Sequence, residues 1–276
     1  MKKFFTLLLL TLFLGSLMTG CKEKPGDPPL MPPSESMAID FSNFEQGRKS
    51  GDVLLPKGVE NSNWEFAALV AGYWRAVIYV TLAVPVVSFD YIIDQEPVYL
   101  EDKTWQWDCS VPVLTSTYKA RLTGQIRSDD VLWKMYIARE GTGAYSEFLW
   151  FEGTSDLDGK GGQWTLNHSN TYQEPVLTID WEGNGTKVTY VKYTYVRTLN
   201  DSRVADPFKN SFIEYGTTTG IFDSYYTINY YNGSAFSDME VKWSSTGFNG
   251  MVQCQAFFGD ALWHCWDGNY VNITCE

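Results

Sequence analysis

WEFAALVAGYWRAVIYVTLAV, residues 64–84, is apolar on nearly every side. The run is longer than an ordinary strand, and Ala67, Ala68, Leu69, Ala71 and Ala76 favour helix. Ser62 stands three residues before Glu65, the spacing at which a hydroxyl caps an early backbone N–H and a carboxylate reaches back. The stretch therefore predicts a long helix beginning near Ser62 and ending near Pro85, where the missing N–H interrupts the ladder. A membrane span is the rival reading. Glu65 and Arg75 oppose it, since a cation at mid-span costs ~3 kcal/mol on insertion scales. A helix apolar all round must be enclosed by protein, so the rest of the chain has to supply the enclosure.

From Trp105 onward the apolar pattern turns to period two. Strands are predicted near 104–113, 116–127, 131–139, 144–152, 162–168, 175–182, 186–196, 211–217, 224–231, 237–244, 249–258 and 261–266. Turn residues separate them, among them Gly141-Thr142-Gly143, Gly183-Asn184-Gly185 and Asn232-Gly233. Short connections make successive strands antiparallel neighbours. The expected fold is mainly β: a large curled antiparallel meander, partly or fully closed into a barrel, packed around one long N-terminal helix. The longer polar segment 197–210 is a lid or a crossover. At the level of architecture alone, this arrangement resembles the lipoprotein-carrier class of periplasmic proteins, whose incomplete barrel holds acyl chains against helices.

Residues 1–21, MKKFFTLLLLTLFLGSLMTGC, place two lysines before an apolar run that stops at small residues and a cysteine. Met18-Thr19-Gly20-Cys21 resembles the lipobox of a Gram-negative bacterial lipoprotein, with Met where Leu is commoner. That resemblance implies removal of residues 1–20 and lipidation of Cys21 with palmitate-type chains. It also implies anchorage to the outer membrane, on a face left open. Residues 21–36 follow as a lipidated cysteine and a flexible tether, because KEKPGDPPLMPPSES is poor in core formers. Residues 37–276 are expected to form a single domain. Without Lys2 and Lys3 the mature chain has 19 basic against 33 acidic residues, a net charge of −14. Such a surface repels phosphate backbones, which excludes nucleic acid as a partner.

Cys109, Cys254, Cys265 and Cys275 would sit where disulfides persist. If Gly259-Asp260 is a two-residue hairpin loop, Cys254 faces Cys265, within bridging range. Cys109–Cys275 then follows by elimination.

No nucleophile elbow or phosphate loop occurs, and neither His168 nor His264 lies at metal-ligand spacing, so no catalytic residue, cofactor or metal is expected. Asp156-Leu157-Asp158-Gly159-Lys160-Gly161-Gly162 suits a calcium loop only in part, and reads better as a glycine hairpin. Glu140, Glu147, Asp180 and Glu182 are candidates for a hydrolytic pair only if they meet across a groove. Arg75 must pair or reach water. With Tyr73, Trp74 and Tyr79 it forms the candidate ligand-binding group at the mouth of a cavity. The function expected first is a non-enzymatic envelope lipoprotein holding an apolar or amphipathic ligand between helix and sheet. The alternatives are a surface glycan binder using exposed Trp and Tyr, with Trp150, Trp164, Trp181 and Trp243 as candidates, and a structural envelope protein with no small ligand.

Overall fold

The computed structural model describes residues 26–39, 41–44, 63–113, 115–185 and 187–275. Cys21 and the expected cap Ser62 lie outside the described residues. Two 3-10 turns, Ser34–Met37 and Ser42–Phe44, precede helix α1, Asn63–Ile92. The strands that follow are β1 (Val98–Tyr99), β2 (Thr104–Val113), β3 (Ser116–Ile126), β4 (Asp130–Gly141), β5 (Tyr145–Asp156), β6 (Gly161–Asn167) and β7 (Pro175–Gly183). Then come β8 (Val188–Tyr195), β9 (Phe212–Thr217), β10 (Ser224–Tyr231), β11 (Phe236–Trp243) and β12 (Gly250–Gln253). A one-turn helix α2 (Gln255–Phe258) precedes β13 (His264–Trp266) and β14 (Asn272–Ile273).

All fourteen strands form one antiparallel sheet in which each pairs with its neighbours in sequence, the expected meander. β1 and β14 do not pair, so the sheet is open and the closed barrel is not formed. Both edge strands are two residues long. α1 touches β2 and β3 on one side and β12 and β13 on the other, so it spans the gap between the two ends of the sheet.

The helix departs from the sequence reading in two ways. It runs through Pro85 to Ile92. Instead of ending there, it bends by 67° between Tyr79 and Val84, the turn in which Pro85 cannot donate and its ring crowds the preceding carbonyl. Nor is it enclosed. Trp64, Ala67, Ala68, Ala71, Trp74, Ile78, Leu82, Phe89 and Ile92 recur at three- and four-residue intervals and are buried. The opposite face leaves Tyr73, Tyr79, Val87 and Tyr91 exposed. Among the described residues no single helix is long and apolar enough to cross a membrane; the two limbs of α1 reach that composition only together. Its first residue is tied to the far end of the chain: the Asn63 backbone N–H donates to Asn272 Oδ1 at 2.8 Å, and Asn63 Nδ2 donates to Cys265 O at 2.8 Å.

The segment expected as a tether is packed from Pro29 onward. Pro29, Pro32 and Ser36 of that segment are buried, and Met37, Ile39, Phe41 and Phe44, at the start of the expected domain, are buried with them. Trp164 Nε1 donates to Ser36 Oγ at 3.1 Å, Phe41 and Phe44 lie against Tyr226, and Phe44 meets Trp243 edge-on at 5.0 Å. Composition misled here because proline was counted only as a core breaker. At Pro33, φ −62° and ψ 147° give extended backbone, and a chain already stiffened in that form loses little entropy on docking.

The core follows one repeated packing rule. A large indole on one strand lies over a glycine on the next: Trp133 pairs with Gly124 and Gly153, Trp164 with Gly153, Trp181 with Gly162, and Trp266 with Gly250. A Cβ at Gly124 would come within 2.6 Å of the Trp133 ring, so glycine makes room for the ring. The indole donors of Trp133 and Trp266 are satisfied by Ser155 Oγ at 2.9 Å and Phe248 O at 2.8 Å.

Candidate functional site

The proposed ligand group on α1 does not converge. Neighbouring helical positions lie about 100° apart, so Trp74 turns inward at 3% exposure while Tyr73 and Tyr79 face out at 56% and 72%. Arg75 is exposed beside them rather than at the mouth of a cavity. The space reserved for an apolar ligand is occupied by the chain's own Met37, Ile39, Phe41 and Phe44, together with Phe89, Phe151 and Trp164. The indoles suggested for glycan stacking divide too: Trp164, Trp181 and Trp243 are core residues, and Trp150 is half-buried against it.

The cysteines pair differently. Cys265 bonds Cys275, with Cα atoms 5.3 Å apart, while Cys109 and Cys254 are free thiols. The hairpin assumed at Gly259-Asp260 is absent because β12 stops at Gln253 and residues 255–258 coil into α2, closed by Gly259 at φ 82°. Cys265 therefore faces Met251 rather than Cys254. Burial, then the Asp108 carboxylate, pushes the Cys109 thiol pKa up.

The calcium-like loop is the β5–β6 hairpin, with Asp158 held by Lys160 Nζ at 2.7 Å. No group of three or more His, Cys, Asp or Glu able to hold a metal occurs among the described residues. Glu140 pairs with Lys119 at 2.5 Å, and Glu147 receives two bonds from Arg121, each 2.9 Å. The 197–210 loop is pinned. Arg197, its side chain 5% exposed, donates to Asp201 at 2.6 Å and lies 3.5 Å from Glu174, which also accepts from Arg203 at 2.9 Å. Tyr195 donates to Asp206 at 2.9 Å; burial and that bond push the phenol up to about 12. His168 lies 3.9 Å from Asp201 and 3.3 Å from Ser169 Oγ. Burial, then Arg197, lowers its pKa. His264 stacks on Phe258 and meets Asp260 at 3.0 Å.

The remaining acids, Asp180 and Glu182, do share a site. They point outward from β7, alternating with buried Ile179 and Trp181. A depression of about 460 Å³ opens beside them, lined by Asp156, Lys160, Gly161, Gly162 and Tyr190. Strand register continues the surface as two rows. One runs Gly161, Glu182, Tyr190, Gly216, Tyr225; the other runs Gln163, Asp180, Lys192, Glu214, Thr227. The Tyr225 ring lies over Gly216, where a Cβ would sit 2.4 Å from it. Its hydroxyl donates to Glu214 at 3.4 Å, and Lys192 lies 3.6 Å from the same carboxylate. Partial burial, then Glu214, raises the pKa of both the Tyr190 and Tyr225 phenols, which stay protonated donors. The sequence points to exposed Trp and Tyr as stacking residues but names only tryptophans as candidates; strand register is what sets Tyr190 and Tyr225 on either side of Gly216.

Comparison of the chain with protein-family models, curated proteins and solved structures finds no match in any of the three.

Proposed function

We propose that the protein is a lipid-anchored, non-enzymatic outer-membrane lipoprotein that binds a glycan on the outer face of its sheet. Met18-Thr19-Gly20-Cys21 supports the anchor. The observation that carries the ligand class is the outer row in which Tyr190 and Tyr225 stand among Asp180, Glu182, Lys192 and Glu214 beside the Gly161-Gly162 depression. A sugar ring is amphipathic: its C–H face suits a phenol ring and its hydroxyls suit carboxylates and an ammonium. Titration with a panel of neutral oligosaccharides, followed by calorimetry, tests the reading. Tyr190→Ala and Asp180→Asn are each expected to weaken binding tenfold or more, and Trp150→Phe to leave it unchanged. Binding that survives a combined Tyr190→Ala and Tyr225→Ala change, or no binding at millimolar sugar, overturns it.

A further inference from the structure

We propose that the rim of the sheet carrying Leu30, Leu157 and Ile221 rests on the bilayer that holds the Cys21 lipid; this rests on the lipid-anchor half of the reading above. In a meander, alternate turns share one rim. The turns after β1, β3, β5, β7, β9, β11 and β13 lie on one side, and those after the even strands lie on the other. Leu157 in the β5–β6 turn is 45% exposed, and Ile221 in the β9–β10 turn is 80% exposed. Leu30, 60% exposed, joins them: its Cβ is 3.7 Å from where a Gly159 Cβ would stand.

The far rim also shows apolar side chains, including Phe208, Phe236 and Leu262. Chain length chooses between the two. Among the described residues Pro29 is the first that is buried, eight positions after Cys21. Eight residues span at most about 28 Å in any conformation, whereas the twelve residues of β4 extend roughly 40 Å. The lipid thus holds the near rim at the membrane surface, and so short a link keeps its effective concentration there high. Several charges beside these turns are satisfied within the protein, while Glu101, Asp102, Lys103 and Asp129 on the same rim are exposed. Asp158 pairs with Lys160, Arg127 with Asp130 at 2.6 Å, and Asp223 accepts from Ser245 N–H and Oγ at 2.7 Å. With a net charge of −14 on the mature chain, the surface met is one of zwitterionic rather than anionic headgroups.

Hydrogen exchange of the acylated full-length mature chain, in phosphatidylcholine nanodiscs and in detergent micelles, tests this. Turns 157–160 and 218–223 are expected to exchange at least threefold more slowly on nanodiscs, with turn 232–235 unchanged. Leu157→Asp with Ile221→Asp, both at exposed positions, should abolish the protection while the acylated protein stays with the discs. Equal exchange on both rims, or protection of turn 232–235 instead, overturns the docking alone. A mature chain without acyl mass on Cys21 overturns the anchor and the docking together.

Discussion

One sheet presents two aromatic faces, and they work differently. The inner face carries indoles: Trp133, Trp164, Trp181 and Trp266 are each less than 2% exposed and lie over glycines of the adjoining strand. The outer face carries phenols, Tyr136, Tyr190 and Tyr225, half-buried beside charged side chains. Arg121 covers Tyr136 at 4.5 Å, and Glu214 accepts from Tyr225. An indole buries a large area and brings only one donor to satisfy, so it suits the inside. Phenols are not confined to the outside, since Tyr193 and Tyr226 are buried on the inner face; those on the outer face keep their polar tips beside water and ions. Aromatic content alone therefore does not report function. The strand face on which each ring sits decides whether it packs in the core or meets solvent.

The sharpest way to break this division is Trp164→Ala. It empties a fully buried site and removes the bond to Ser36, and a loss of about 4 kcal/mol is expected in urea unfolding. Tyr136→Ala on the outer face should cost about 1 kcal/mol or less. Cys275→Ser opens the disulfide that closes ten residues at the end of the sheet, with an expected loss of about 2–3 kcal/mol. Thiol counting on the unfolded, unreduced protein should find Cys109 and Cys254 reactive and the other pair silent.

The glycines give a finer comparison. Gly124→Ala drives a methyl into a locked core ring, for an expected loss of about 2 kcal/mol. Gly216→Ala meets only the far end of the Tyr225 ring, which can swing away, so about 0.5 kcal/mol is expected. That variant should still lower saccharide affinity, because it displaces the ring.

The smallest expected effect is on pH response. Burial and Arg197 depress the His168 pKa, so the unfolded chain takes up that proton first. Stability from this site is complete above about 6.5 and declines as pH falls toward the folded value. The Arg197 hydrogen bond holds Asp201 low; at Glu174, burial opposes ionisation but the bonds and charges of Arg203 and Arg197 outweigh it. Their contribution is present above about pH 4 and is lost as pH falls through the folded values. Thermal melts should show two stages of decline on acidification, and His168→Asn should remove the first.

Much of this architecture is legible before any coordinates, because period-two alternation over eight to twelve residues admits few other readings. β2 and β10 coincide with their predicted limits. The failures have separate causes, some depending on a partner distant in sequence and others on a local choice of element. Residues 29–36 read as a linker until Trp164 is known to receive Ser36. The Cys254–Cys265 pairing failed on one helical turn, Gln255–Phe258, whose residues alternate well enough to pass for strand. The outward face of α1 escaped notice because tyrosine and valine are as apolar there as on its inward face. For the site, carboxylates Asp180 and Glu182 were among many candidates, and only strand register brings Tyr190 beside them.

The lodging of residues 29–44 inside the sheet bears on how the molecule is born. Ser36 finds its partner 128 positions later, and Asn63 finds its own 209 positions later. A newly made polypeptide thus carries its filling from the outset but has nowhere to put it until the later strands form. Assembly ruled by such remote meetings is slow, and the waiting intermediate shows greasy strands to its neighbours.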